Sequence, residues 1–130
     1  MFDLFEEFAA VIDGLEKDAI PFAVCGGIAM SVHGFTRATE GIDLLIPPEE
    51  LPRGAQTLAR LGFTIKVLPM NFARGAMHIR RFSKADRDGD VLMVDLLLVT
   101  PQTKPAWDTR QTLMWRDRPL HAVSRKASFF

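Results

Sequence analysis

Two aspartates stand in runs that would otherwise be wholly apolar: Asp43 in Ile42-Asp43-Leu44-Leu45-Ile46 and Asp95 in Met93-Val94-Asp95-Leu96-Leu97-Leu98-Val99. A carboxylate in such a setting is costly, or titrates upward, unless it is paired, hydrogen-bonded or bound to a metal. The plain structural alternative for each is an Asp at a strand end, satisfied by a backbone donor or an arginine. A third segment, Val24-Cys25-Gly26-Gly27-Ile28-Ala29-Met30, places paired glycines between a short apolar run and a helix. Glycines there let the backbone approach a phosphate, with free N–H groups and the helix N-terminus facing the anion. Alone, such a junction is as often a packing solution. It is neither a Walker loop nor a GxGxxG fingerprint, because no later Lys-Ser/Thr or third glycine has the required spacing. Taken together, two buried acids and a glycine turn suit a divalent cation and a polyphosphate.

Other residues carry weaker chemistry. Asp86, Asp88 and Asp90 have the first spacings of a calcium loop, but Val91 and Leu97 replace its sixth-position Gly and twelfth-position Glu, so a polar hairpin turn is expected. His33, His78 and His121 lack ligand spacing, and Ser31 or Cys25 beside His33 lacks an orienting third group. Cys25 is expected to be a small buried apolar residue, and Trp107 and Trp115 to pack partly into the core rather than stack a base.

The elements that must position these residues follow from periodicity. Phe2, Phe5, Phe8, Ile12 and Leu15 recur at helical steps behind an Asp3/Glu6 capping box, with Gly14 weakening the last turn. Ile20 to Cys25 reads as a buried strand, Gly27 to His33 as a short helix, and Gly41 to Ile46 as a second strand stopped by Pro47 and Pro48. A helix from Glu49 to Gly62 and an alternating strand through Phe63, Ile65 and Val67 come next. Met77 to Phe82 and Val91 to Val99 form an antiparallel pair across a tight Asp88-Gly89 turn. A short helix at Pro105 to Gln111 and strands at Leu113 to Trp115 and Leu120 to Val123 complete the chain. The fold class is therefore α/β (α+β), a mixed sheet with helices packed on it.

With 130 residues, 48% of them hydrophobic and 25% charged, the chain fits one globular domain over residues 1–130. No apolar stretch approaches the ~20 residues of a membrane helix. The acidic, amphipathic N-terminus is unlike a signal peptide, and a single cysteine permits no intrachain disulfide, so a cytoplasmic protein is expected, with no membrane partner. The net charge of +0 hides an asymmetry: residues 1 to 50 carry two Lys/Arg against ten Asp/Glu, and residues 51 to 130 fourteen against six. A basic half could attract polyphosphate or nucleic acid, but a solvated surface paired with the acidic half is the favoured expectation.

In order and spacing, the Gly-Gly turn, the short helix, the Arg37-Ala38-Thr39-Glu40-Gly41-Ile42-Asp43-Leu44 segment and the later Val94-Asp95-Leu96 strand resemble the nucleotidyltransferase superfamily, closest to its minimal and AbiEii-like bacterial members. The resemblance spans Phe22 to Val99. It implies that Gly26 and Gly27, with Arg37 and Thr39, bind the nucleotide. Asp43 would be the second carboxylate of an Asp-x-Asp pair and Asp95 the third, both catalytic and both ligands of Mg²⁺. Alternate residues of a strand share a face, so an Asp-x-Asp aims two carboxylates at shared ions. Here the first position is Gly41, and Glu40 could replace it only through a bulge.

The implied activity is transfer of a nucleoside monophosphate from Mg-NTP to a hydroxyl on protein, RNA or a small molecule, impaired by the weakened metal site. Two rivals stand beside it. One is a catalytically inactive nucleotide-binding or protein-interaction module of a toxin-antitoxin or phage-defence system. The other is a ligand-free structural domain in which Arg37, Arg80 or another basic residue satisfies the two aspartates. The family usually continues into another helix where this sequence ends in Ser128-Phe129-Phe130; exposure of those phenylalanines would favour a homo-oligomer, and a disordered tail is the simpler alternative.

Overall fold

The Asp3 side chain accepts the Glu6 N–H at 3.2 Å and opens helix α1 (Leu4–Lys17), as the capping box predicts. This computed structural model describes residues 1–32, 41–72, 75 and 77–124. The α1 helix buries Phe8, Val11, Ile12 and Leu15. Gly14 has a packing role: a Cβ there would lie 3.0 Å from Thr57 Cγ2 and 3.2 Å from Leu61 Cδ1, so its absence lets a second helix lie close.

Strand β1 (Ala23–Cys25) is shorter than the apolar run suggests, because Pro21 offers no ladder donor, although Ile20 and Phe22 are still buried. Helix α2 (Gly26–Val32) begins directly on the first glycine of the pair, and strand β2 (Gly41–Ile46) has the predicted bounds. A 3-10 turn at Pro48–Glu50 leads into α3 (Leu51–Arg60), and Gly62 ends that segment at φ +95°.

Of the next alternating run, only Ile65–Lys66 forms a strand, β3, with the Val67 N–H adding one bond to the Arg81 carbonyl; both strand residues are exposed, and Phe63 alone reaches the core. Strand β4 (Met70–Phe72) has no counterpart in the sequence reading. The long hairpin is β5 (Met77–Ala85) and β6 (Val91–Leu98). Helix α4 (Lys104–Asp108) and the hairpin of β7 (Gln111–Trp115) and β8 (Arg118–Ala122) follow.

The described strands form one mixed sheet in the order β3-β5-β6-β2-β1-β8-β7, with β4 also on β5. Strands β2 and β6 are parallel, as are β1 and β8, and the other pairings are antiparallel. This is the expected mixed α+β architecture. Side-chain alternation gives the sheet two unequal faces. Val24, Ile42, Leu44, Ile46, Val94 and Leu96 point into the larger core with Phe8, Ile12 and Leu58, and Trp115 meets Phe8 edge-on at 4.9 Å. Ala23, Cys25, Leu45 and Leu97 point the other way, beneath Ala106 and Trp107 of α4.

The charge asymmetry resolves mainly into surface pairing. Lys84 bonds Glu7, Arg116 bonds Glu6, Arg118 reaches Asp13 and Glu16, and Arg60 reaches Asp18, so basic residues of the later chain cover the acidic N-terminal helix and its end. Among the described residues no helix is long and apolar enough to cross a membrane. Phe129 and Phe130 lie outside the described residues.

Candidate active site

Register brings the acids together. Parallel pairing of β2 with β6 sets Asp43 directly beside Asp95, antiparallel pairing of β1 with β2 sets Cys25 beside Asp43, and the β5–β6 hairpin sets Arg81 beside Asp95. Residues in register share a face, so Arg81, Asp95, Asp43 and Cys25 form one row across four adjacent strands. The row lies on the smaller face, one step beyond the Leu45 and Leu97 level that α4 covers.

Gly26 closes the row over Asp43. Its φ of +67° is left-handed, and a Cβ there would fall 2.3 Å from Asp43 Oδ2. Glycine is thus required twice, once by the backbone and once because the carboxylate occupies the space a side chain would take. The first glycine of the pair lies against Asp43, and Gly27 follows it in α2.

The two carboxylates are held differently. Arg81 forms a fork on Asp95, with Nε donating to Oδ1 at 2.8 Å and a terminal nitrogen donating to Oδ2 at 3.0 Å; Asp95 is 9% exposed. That bond raises the Arg81 pKa above its ordinary value. Asp43 is partly buried, and burial first, then repulsion from Asp95, raises its pKa from 3.8 to about 6, with Arg81 opposing the shift. Burial also holds the Cys25 thiol well above its usual range, with the two aspartates adding to the effect, in keeping with a small buried residue.

Gly41 stands on the same face as Asp43, opposite Met93. The β2–β6 ladder runs from Gly41 to Ile46 without a bulge, so the described strand contains no device to turn a neighbouring acid inward. Glu40, Arg37 and Thr39 lie outside the described residues. Among the basic partners considered for the aspartates, Arg80 instead donates to the Ile79 carbonyl at 3.2 Å, and the true partner of Asp95 is Arg81.

Arg81 was detectable in principle. The hairpin closes between Asp86 and Asp90, with Asp86 Oδ1 accepting the N–H groups of Asp88 and Asp90 at 2.9 and 3.0 Å. This three-residue loop pairs Arg81 with Asp95, whereas a two-residue Asp88-Gly89 turn would slip the register by one and set Phe82 there. The Asp86, Asp88 and Asp90 carboxylates gather around the Met1 ammonium at 2.7 to 3.6 Å, in a polar turn as expected.

Arg81 also lines an open cleft of about 340 Å³ with Lys66, Leu68, Arg80 and Phe82. A larger cavity of about 590 Å³, between the end of α1 and β8, includes Glu16, Phe22, Arg110 and His121 and shares no residue with the row.

No family model matches the sequence, and no curated protein does. Solved structures do. A Thermotoga maritima protein assigned as a nucleotidyltransferase superposes with a TM-score of 0.69 at 10% identity, over 96% of this chain and 80% of that one. The lincosamide antibiotic adenylyltransferase LnuA, with lincomycin bound, gives 0.61 at 15% identity over 94% and 81%. ANT(2")-Ia in complex with adenylyl-2"-tobramycin gives 0.61 at 16% identity over 92% and 68%. The chain therefore has the nucleotidyltransferase fold.

Within the row, a divalent ion of the kind this fold suggests would find the Asp43 carboxylate. Asp43 is a hard oxygen donor on a glycine-lined surface, which suits Mg²⁺. At the other positions Gly41 offers no side-chain ligand, and the Arg81 fork already engages both oxygens of Asp95.

Proposed function

We propose that the chain binds a nucleoside triphosphate with one Mg²⁺ ion across Gly26, Gly27, Asp43 and Asp95, and that it transfers the nucleoside monophosphate to a hydroxyl acceptor with reduced efficiency. The observation that carries this reading is the pairing of Asp43 with Asp95 on parallel neighbouring strands, with Gly26 cut back to glycine against the Asp43 carboxylate. When bound through Asp43, the ion would supply positive charge to the triphosphate. The absence of a side chain at Gly26 leaves room for the Asp43 carboxylate directly beside the Gly26-Gly27 turn. Arg81 and Asp95 keep the neighbouring charge fixed through a two-point fork. LnuA is a lincosamide antibiotic adenylyltransferase and ANT(2")-Ia holds an adenylylated tobramycin, which supports a nucleotide substrate and a small hydroxyl-bearing acceptor here. Arg37 and Thr39 are included as further nucleotide-binding residues on the strength of the sequence resemblance.

A second reading, a catalytically inactive nucleotide-binding or protein-interaction module of a defence or toxin-antitoxin system, is favoured by one specific observation. The acid expected to serve as third metal ligand is consumed by an arginine.

The test is incubation with each α-labelled NTP and Mg²⁺ against protein, RNA and aminoglycoside or lincosamide acceptors, for wild type and Asp43→Asn. Label transfer lost in the variant supports catalysis. Nucleotide binding without transfer to any acceptor selects the inactive module, and neither binding nor transfer refutes both.

A further inference from the structure

We infer that Arg81 is a built-in second cation of the site, supplying at Asp95 the positive charge that a second divalent ion would supply, so that the row takes a single divalent ion at Asp43. The inference rests on the reading that the Asp43–Asp95 row is the cation site. Its argument is one of charge. A row of three carboxylates at positions 41, 43 and 95 would carry three negative charges, matched to two divalent ions. Here Gly41 withdraws one negative charge and Arg81 adds one positive charge, and the two departures together equal one divalent ion.

Geometry agrees with the charge count. Arg81 is in direct register with Asp95 and grips both of its oxygens, and Asp43 stands next in the same row, so the guanidinium supplies counter-charge beside both carboxylates. A guanidinium cannot be deprotonated in a protein and cannot leave, so this half of the counter-charge is permanent. Its backbone is fixed as well: the Arg81 carbonyl accepts the Val67 N–H at 3.2 Å, and β5 is paired on both sides.

The experiment titrates Mn²⁺ alone into wild type, Arg81→Met, Arg81→Lys, Gly41→Asp and Gly41→Asp/Arg81→Met, counting bound ions by electron paramagnetic resonance. Wild type should hold no more than one ion per chain. Arg81→Met should bind Mn²⁺ more than about tenfold tighter, because a positive charge has left the site. Arg81→Lys, which keeps the charge, should stay within about threefold of wild type. The double variant should bind two ions, and Gly41→Asp alone should not. Two ions on wild type, or an unchanged or weaker affinity in Arg81→Met, overturns the inference. If Arg81→Met loses its folded circular dichroism, the wild-type count and the Arg81→Lys affinity still decide. Repeating the titration with α,β-methylene-ATP separates the two claims: absent nucleotide binding with the Mn²⁺ pattern intact overturns the proposed function and leaves Arg81 as the internal cation.

Discussion

Replacing Asp43 by Asn should stabilise the fold at neutral pH and leave it little changed in acid. Burial and Asp95 raise the Asp43 pKa from 3.8 to about 6. A raised acid pKa means that the folded state holds its proton more tightly than the unfolded chain. The associated stability is complete below pH 3.8 and is lost as pH rises through about 6. At about 1.36 kcal/mol per unit, ionising Asp43 in the folded state costs about 3 kcal/mol above pH 7. Asparagine keeps the shape and removes the charge, so the wild-type deficit should open between pH 4 and pH 6 and then level off. Urea unfolding of both proteins at intervals from pH 4 to pH 8 measures the gap, and titrations common to both cancel in the difference. A gap that does not change with pH, or one that grows in favour of wild type as pH rises, would refute the reasoning that Asp43 is desolvated beside a second carboxylate.

Other consequences follow from the same geometry. Gly26→Ala should cost more than about 3 kcal/mol in urea unfolding, since it combines left-handed backbone with a collision against Asp43, and Asp43→Ala should recover part of that loss in the double variant. Gly41→Asp should cost about 1 to 3 kcal/mol, because its Cβ meets the Met93 carbonyl oxygen at 3.0 Å in the adjacent strand; an unchanged midpoint would show that β6 yields freely. Phe8→Ala, at a fully buried position against Trp115, should cost about 3 to 5 kcal/mol and alter tryptophan fluorescence.

The two aspartates were legible because an acid inside an aliphatic strand violates the pattern around it, and the glycine pair was legible because it sits where a strand turns into a helix. Their adjacency was implied only through the resemblance; it depends on the parallel β2–β6 register, which no local sequence signal specifies. Arg81 escaped because hairpin register depends on loop length, and Asp86, as the loop's hydrogen-bond acceptor, makes the turn one residue longer than Asp88-Gly89 suggests. The exposed β3 and the unforeseen β4 are edge pieces whose pairing comes from β5 rather than from their own alternation. Gly14 shows the limit of propensity reasoning, since a residue that weakens a helix locally is what allows α1 to meet α3.

Calorimetric titration of wild type, Asp43→Asn and Asp95→Asn with α,β-methylene-ATP at pH 7.5, with and without Mg²⁺, tests the central claim most directly. Binding of one nucleotide that requires Mg²⁺ and is lost in Asp43→Asn is the expected result. Equal binding by wild type and Asp43→Asn, or none by wild type, would contradict the assignment of this row as the nucleotide site.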